Sequence, residues 1–295
     1  MSTVTAATSA VTARYSSPRA RARKFVAEAI KYLILGIVFV VTVAPVLLML
    51  TSTFKTRAEI SQDPIALPTR ISLDNLSKAW VQGRFGRYAW NSIIITIPTV
   101  LGVLALSCLA GYGFARHQFF GKRFLFILFL VGLMVPFQSI MIPLYFDLQR
   151  MRILGTYLAM ILPAIGLGLP FGIYLMQAFF RGLPQELSDS AKVDGCNELQ
   201  VFWHIILPLT TPAVSSLAIF QFVWTWNAFL MPLIYLNKEV LRPMTLGLMF
   251  FQGRYTSDYS MISAAVTITS LPLIIIYILL QRQFLRGLTA GAIKG

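Results

Sequence analysis

Six stretches of this sequence are long, apolar and almost free of charge. They fall at about 32–54, 89–115, 124–146, 154–180, 206–236 and 260–281. A helix rises 1.5 Å per residue, so about 20 apolar residues cross the roughly 30 Å hydrocarbon layer of a bilayer. The first run has 23 residues and follows a cluster of Arg and Lys. It is longer than the roughly 7–15-residue core of a cleaved signal, so it reads as a retained first span. Only 12% of the residues are charged, against about 25% in soluble domains. Such a chain lacks the polar surface to cover a soluble globule. The expected fold is an all-α integral membrane protein with six transmembrane helices and both ends on one side.

The net charge of +14 does not point to nucleic acid. The basic residues lie in tails and connections, where they meet lipid headgroups and fix orientation. No zinc-finger spacing accompanies them. Fourteen lie on the side of the termini and eleven on the other, so totals decide little. Their density before the first span and in the short 116–123 connection places both termini in the cytoplasm. The expected division is a disordered basic tail at 1–29, a six-helix transmembrane domain at 30–284 and a C-terminal tail at 285–295. Cys108 and Cys196 are too few for a disulfide framework or a metal site, and both are expected free.

The span interiors carry almost no ionisable residues, which excludes an ion relay. They offer uncharged polar and aromatic groups instead: Asn91, Gln138, Gln177, Gln221, Trp224, Trp226 and Asn227. Trp224, Trp226 and Asn227 are candidates for a substrate pathway, because aromatic faces stack on apolar faces and amides bind hydroxyls. Aromatics at helical spacing also serve packing. Prolines at 98, 136, 143, 163, 170, 232 and 272 free carbonyls and bend spans. There is no GxxxxGK[ST], no His-Glu-x-x-His and no GxSxG. With no catalytic residue and no cofactor or metal site in the chain, any energy must come from elsewhere.

One polar island breaks the apolar pattern, LPQELSDSAKVDGCNELQVFWHIILPLTTP at 183–212. Glu186, Asp189, Asp194 and Glu198 place four of the eleven acids within thirteen residues. Amphipathic helices that lie on lipid carry Lys and Arg on the polar face; this one carries acids, which suits docking on a basic partner. Pro184 suits a first helical turn, and Leu183, Leu187 and Ala191 form one apolar face. Gly195 sits where a left-handed C-cap would stop the helix. Asn197 and Gln200 have capping-box spacing for a second helix. The small residues Ser190 and Ala191 suit insertion into a groove, and Asp189, Asp194 and Glu198 suit pairing with a partner's Arg or Lys.

Asp189-Ser190-Ala191, Asp194-Gly195-Cys196 and Ile205-Ile206-Leu207-Pro208 resemble the cytoplasmic EAA loop of ATP-binding-cassette (ABC) importer permeases of the MetI-like type. The substitutions are acid for acid and small for small. AGYGFARHQFFGKR at 110–123, MVPFQSIMIPLY at 134–145, Trp226-Asn227 and the terminal GLTAGAIKG resemble the carbohydrate-uptake branch, maltose type. That resemblance implies a type I importer permease moving a sugar or oligosaccharide by alternating access. It implies a second homologous permease and two ATPase subunits that bind ATP and Mg. An extracytoplasmic sugar-binding protein completes the set, in a bacterial or archaeal cytoplasmic membrane. It makes the 181–206 loop, with Glu186, Asp189, Ser190, Ala191, Asp194, Gly195, Leu207 and Pro208, the ATPase-coupling element. A stand-alone secondary transporter or channel is the alternative reading.

Overall fold

The computed structural model describes residues 18–252 and 258–292. Residues 1–17 of the N-terminal tail and the last three residues of the terminal motif lie outside the described residues. The described chain is helical, and its helices in order are α1 Pro18–Thr53, α2 Arg57–Gln62, α3 Asp74–Gln82, α4 Phe85–Arg116, α5 Lys122–Gly132, α6 Phe137–Arg150 and α7 Leu158–Gly182. They continue as α8 Glu186–Val193, α9 Glu198–Val201, α10 Leu207–Leu209, α11 Thr211–Trp226, α12 Leu230–Tyr235, α13 Met244–Gly247 and α14 Tyr259–Ala292. Helix α1 begins inside the stretch expected to be a disordered tail. Pro18 fits a first helical position, and the Arg, Ala and Lys after it are strong helix formers. Helix α14 likewise carries the 285–295 segment as helix up to Ala292.

Four helices are long and apolar enough to cross a membrane, at Lys24–Thr53, Phe85–Arg116, Leu158–Gly182 and Tyr259–Leu279. The other two expected spans are broken. Helices α5 and α6 meet at 99°, and Glu198–Leu209 meets Thr211–Trp226 at 76°. At the first break Pro136 is extended (φ −70°, ψ 137°) and disfavours helix at the residue before it. At the second, Pro208 and Pro212 lack the N–H that a continuous ladder needs. A π-helical turn, Phe202–Ile206, precedes Pro208, and the Thr210 hydroxyl donates to the carbonyls of Ile206 (3.2 Å) and Leu207 (2.9 Å). The expected 206–236 span therefore starts at Thr211 and breaks again after Trp226, where α12 begins anew.

Helices α4 and α7 form the spine. A Cβ at Gly111 would lie 2.8 Å from Met176 Cβ and 3.0 Å from the Gln177 nitrogen, so only glycine lets α4 approach α7 this closely. Gly113, two residues further on, has nothing within 4 Å of a Cβ and takes no part. One end of the bundle is tied by polar contacts between distant segments. Lys55 is buried and donates to the carbonyls of Asp63 and Pro64. Asn91 donates to the carbonyls of Val240 and Arg242, and accepts from the Tyr157 hydroxyl at 2.7 Å. The opposite end carries α8 and α9. The apolar stretch of α1 is largely exposed, and its end joins α14 through the Thr53 and Thr267 hydroxyls (3.0 Å).

Candidate functional site

The 183–212 loop forms a helix, a stop and a second helix, as its local signals predict. Gly195 is left-handed at φ +88°. Its N–H bonds to the Lys192 carbonyl (3.1 Å), and the Cys196 N–H reaches back to the Ala191 carbonyl (3.0 Å). These two bonds are the Schellman closure of a helix C-terminus. A Cβ at Gly195 would meet nothing within 4 Å, so backbone conformation alone demands glycine. Asn197 then caps α9: its side chain accepts from Gln200 N–H (2.9 Å), and Gln200 accepts from Asn197 N–H (2.8 Å). Helix α8 opens at Glu186, so Pro184 lies just before it rather than in its first turn.

The loop is clasped to the end of α4. Arg116 donates to the Leu183 carbonyl (3.0 Å), the Pro184 carbonyl (3.5 Å) and the Gln185 side chain (3.0 Å). Glu198 accepts from the Tyr112 hydroxyl at 2.7 Å, pairs with Lys192 at 2.7 Å and faces His117 at 3.5 Å. The hydrogen bond and charge of Glu198 push the Lys192 ammonium above its ordinary pKa. Glu198 is thus committed within the chain, not held free for a partner as expected. Tyr112, Arg116 and His117 were missed as loop-holding residues. The basic residues Arg116 and His117 at the end of α4, two spans ahead of a net-acidic loop, are the signal available for two of them.

The apolar face of α8 docks inward. Ala191 is 5% exposed and packs with Tyr112, Phe180 and Phe202. Ala191, expected on the partner surface, is buried in the chain's own core, because the small face is what allows α8 to seat there. Ser188 is also buried. What faces outward is Glu186, Asp189, Ser190, Asp194 and Gly195. Val193 joins them at 88% exposure, an apolar tip among acids that the sequence reading passed over. Leu207 is half-buried against the same core, while Pro208 is exposed at the π-turn.

The three substrate-pathway candidates separate. Trp226 is 4% exposed, stacks on Phe222 (5.3 Å, 16°) and donates to the Thr269 carbonyl at 3.1 Å. It is a packing residue, and its candidacy is corrected. Asn227 is exposed and turns back to the Val223 carbonyl (3.0 Å). Trp224 is half exposed and lines a cavity of about 340 Å³ between α7, α11 and α12. Among the described residues no cluster of His, Cys, Asp and Glu could hold a metal ion. Cys108 is buried and Cys196 half-buried, both free thiols.

The family described as binding-protein-dependent transport system inner membrane component matches residues 104–289. This chain belongs to that family. It is 34% identical over 275 residues to the probable ABC transporter permease protein YurM of Bacillus subtilis (strain 168), covering 93% of this chain and 91% of YurM. It is 34% identical over 269 residues to the arabinooligosaccharides transport system permease protein AraQ of Halalkalibacterium halodurans, covering 89% and 96%. The probable starch degradation products permease AmyC of Thermoanaerobacterium thermosulfurigenes is 32% identical over 90% of this chain and 97% of AmyC. The fold matches the crystal structure of a bacterial ABC transporter involved in the import of the acidic polysaccharide alginate. The TM-score is 0.78, with 20% identity and coverage of 91% of this chain and 98% of that one.

The chain is therefore the multi-pass membrane component of an ABC importer, with the type I permease fold. ATP is hydrolysed on separate subunits, and the family depends on a binding protein. Membership sets aside the stand-alone transporter.

Proposed function

We propose that this permease moves a sugar or oligosaccharide into the cell by alternating access, driven through the 184–208 loop. The observation that carries the coupling role is the clasped α8–α9 unit. Its inner face is fixed to α4 and α7, and its outer face presents Glu186, Asp189, Asp194 and Val193. A rigid body so attached passes a push from outside to the spine of the bundle. The sugar class rests on relatives such as AraQ and AmyC. In this reading α8 seats in a cleft of one of two ATPase subunits, which hold ATP and Mg. A second homologous permease completes the translocation path, and a sugar-binding protein delivers substrate from outside. Both termini and the 181–206 loop face the cytoplasm of a bacterial or archaeal cell, in keeping with the basic 116–123 connection. The outward apolar face of α1 meets lipid and the partner permease.

Purifying the intact complex with Ser190→Cys, in a Cys196→Ser background, tests the docking. Ser190 is exposed on α8 and should cross-link to the ATPase. A cross-linker that joins Ser190→Cys only to lipid or to no subunit would remove α8 as the coupling element. Adding the binding protein and screening sugars for stimulated ATP hydrolysis tests the substrate class.

A further inference from the structure

We propose that the turn from α4 into α5, with the end of α7, forms a binding site for an anionic phospholipid. The lipid belongs to the leaflet on the α8–α9 side, the cytoplasmic leaflet in the orientation proposed above. Lys122, Arg123 and Arg181 meet its phosphate, and an acyl chain lies along α5.

These three cations line a cavity of about 470 Å³ together with Phe114 and Gln177. The cavity lies away from the coupling loop. Successive residues turn about 100° round a helix, so Phe114 falls on the side of α4 opposite Tyr112, which holds Glu198. Phe114 meets the rings of Phe119, Phe126 and Phe129 at 5.7, 5.5 and 6.0 Å. Aromatic packing thus fixes α5 against α4 at this place.

The charge of the cavity calls for an anion. Among the described residues no Asp or Glu lines it. Lys122 donates one N–H to the His117 carbonyl (2.8 Å) and keeps two. The Arg123 and Arg181 side chains have no hydrogen bond or ion pair among the described residues. Gly121, left-handed at φ +76°, turns the chain into α5, and no side chain caps that helix. Lys122 and Arg123 therefore occupy a first helical turn, where the helix dipole favours acids. Cations and dipole repel each other there, and both attract an anion.

Gln177 is an independent sign of a ligand. It is 8% exposed, lines the cavity and makes no side-chain hydrogen bond among the described residues. Buried polar groups are normally paired, and this carboxamide can donate its N–H to a phosphate oxygen.

The surroundings select a lipid over a free phosphate. Phe120 and Phe124 are exposed beside the cations, the arrangement that anchors a span at the headgroup level. From Phe124 an exposed apolar strip continues through Ile127, Leu128 and Val131, at the spacing of one helix face. A phosphate site that opens onto a hydrocarbon strip matches a headgroup followed by its acyl chain. Basic pockets at span ends on the cytoplasmic side hold anionic headgroups in this way.

The test uses the purified complex in phosphatidylcholine nanodiscs. A phosphatidylglycerol probe carries a diazirine near the top of one acyl chain, and a phosphatidylcholine probe carries the same group. Adducts are mapped by mass spectrometry after illumination. Phosphatidylglycerol adducts should concentrate on 119–131 and exceed those of phosphatidylcholine. Arg123→Gln and Arg181→Gln should each lower them about fivefold, the pull of one basic side chain on an anionic lipid. Arg150→Gln, at the far end of the α5–α6 pair, should leave them unchanged. Equal adducts from the two probes, or adducts unmoved by both variants, overturn the site. Loss of the phosphatidylglycerol adducts in millimolar inorganic phosphate overturns the lipid assignment in favour of a free anion. Absence of phosphatidylglycerol adducts on 119–131 in the assembled complex means that a subunit covers this face, and overturns the proposal as well.

Discussion

The two ends of α11's neighbourhood treat polar groups in opposite ways. At the α8–α9 loop, each acid that reaches inward is met: Glu198 alone faces Tyr112, Lys192 and His117. In α11, Gln221 carries an oxygen that nothing meets. Satisfied polar networks hold one geometry, whereas a half-satisfied buried group is costly. The contrast is between a loop held in one geometry by paired groups and a helix interior that keeps a buried oxygen unpaired.

The largest effect should follow Arg116→Ala. It strips three acceptors at Leu183, Pro184 and Gln185 of their donor, at a local cost of about 1–3 kcal/mol where they are part-buried. Hydrogen exchange should rise across 183–197 and leave α4 and α7 protected. Unchanged exchange would mean that the clasp does not hold the loop.

The next pair should differ. Tyr112→Phe removes a donor from Glu198 and should lower the thermal stability of the purified complex by about 1 kcal/mol. Gln221→Leu removes an unpaired oxygen together with the Nε2 bond to Thr225, so the two effects offset and stability should stay nearly unchanged. Thermal denaturation of both variants measures the contrast; two losses of equal size would erase it.

Smaller still is Lys192→Ala. The pair with Glu198 is 46% and 38% exposed, so it contributes little and weakens with salt. Loop exchange measured at low and high salt should converge for wild type and variant. The pH effect is smallest. Because the folded Lys192 pKa is raised, its contribution is present throughout the range below the ordinary lysine value and is lost only as pH rises through the raised one. Loop protection corrected for intrinsic exchange should therefore hold flat between neutral pH and mild alkali in wild type and Lys192→Ala alike. A wild-type loss confined to that window would contradict the clasp.

Local chemistry was legible in the sequence, and faces were not. Gly195 and the Asn197–Gln200 pair could be read because a Schellman stop and a capping box lie within a few residues of chain. Six spans could be read from length and charge. The inward turn of Trp226 and the outward turn of Trp224 could not, because α11 is apolar all round and its period names no core side. Glu198 was assigned to a partner because its own partners Tyr112 and His117 lie more than 80 residues earlier, and only packing of α4 beside the loop brings them together. Gln221 appeared only as a polar residue in a span; that its oxygen is orphaned is a property of the packed structure. The breaks at 133–136 and at Thr210 were foreshadowed by proline, but proline at 98, 163 and 170 leaves α4 and α7 unbroken.

In the proposed mechanism, outside energy enters through the Gly195 turn. Proline there cannot adopt φ +88° and lacks the N–H that bonds to Lys192. The direct measurement is the number of sugars moved per ATP hydrolysed in proteoliposomes bearing wild type or Gly195→Pro. The Gly195→Pro complex should assemble and still hydrolyse ATP while the ratio collapses toward zero. An unchanged ratio in the assembled Gly195→Pro complex would contradict it.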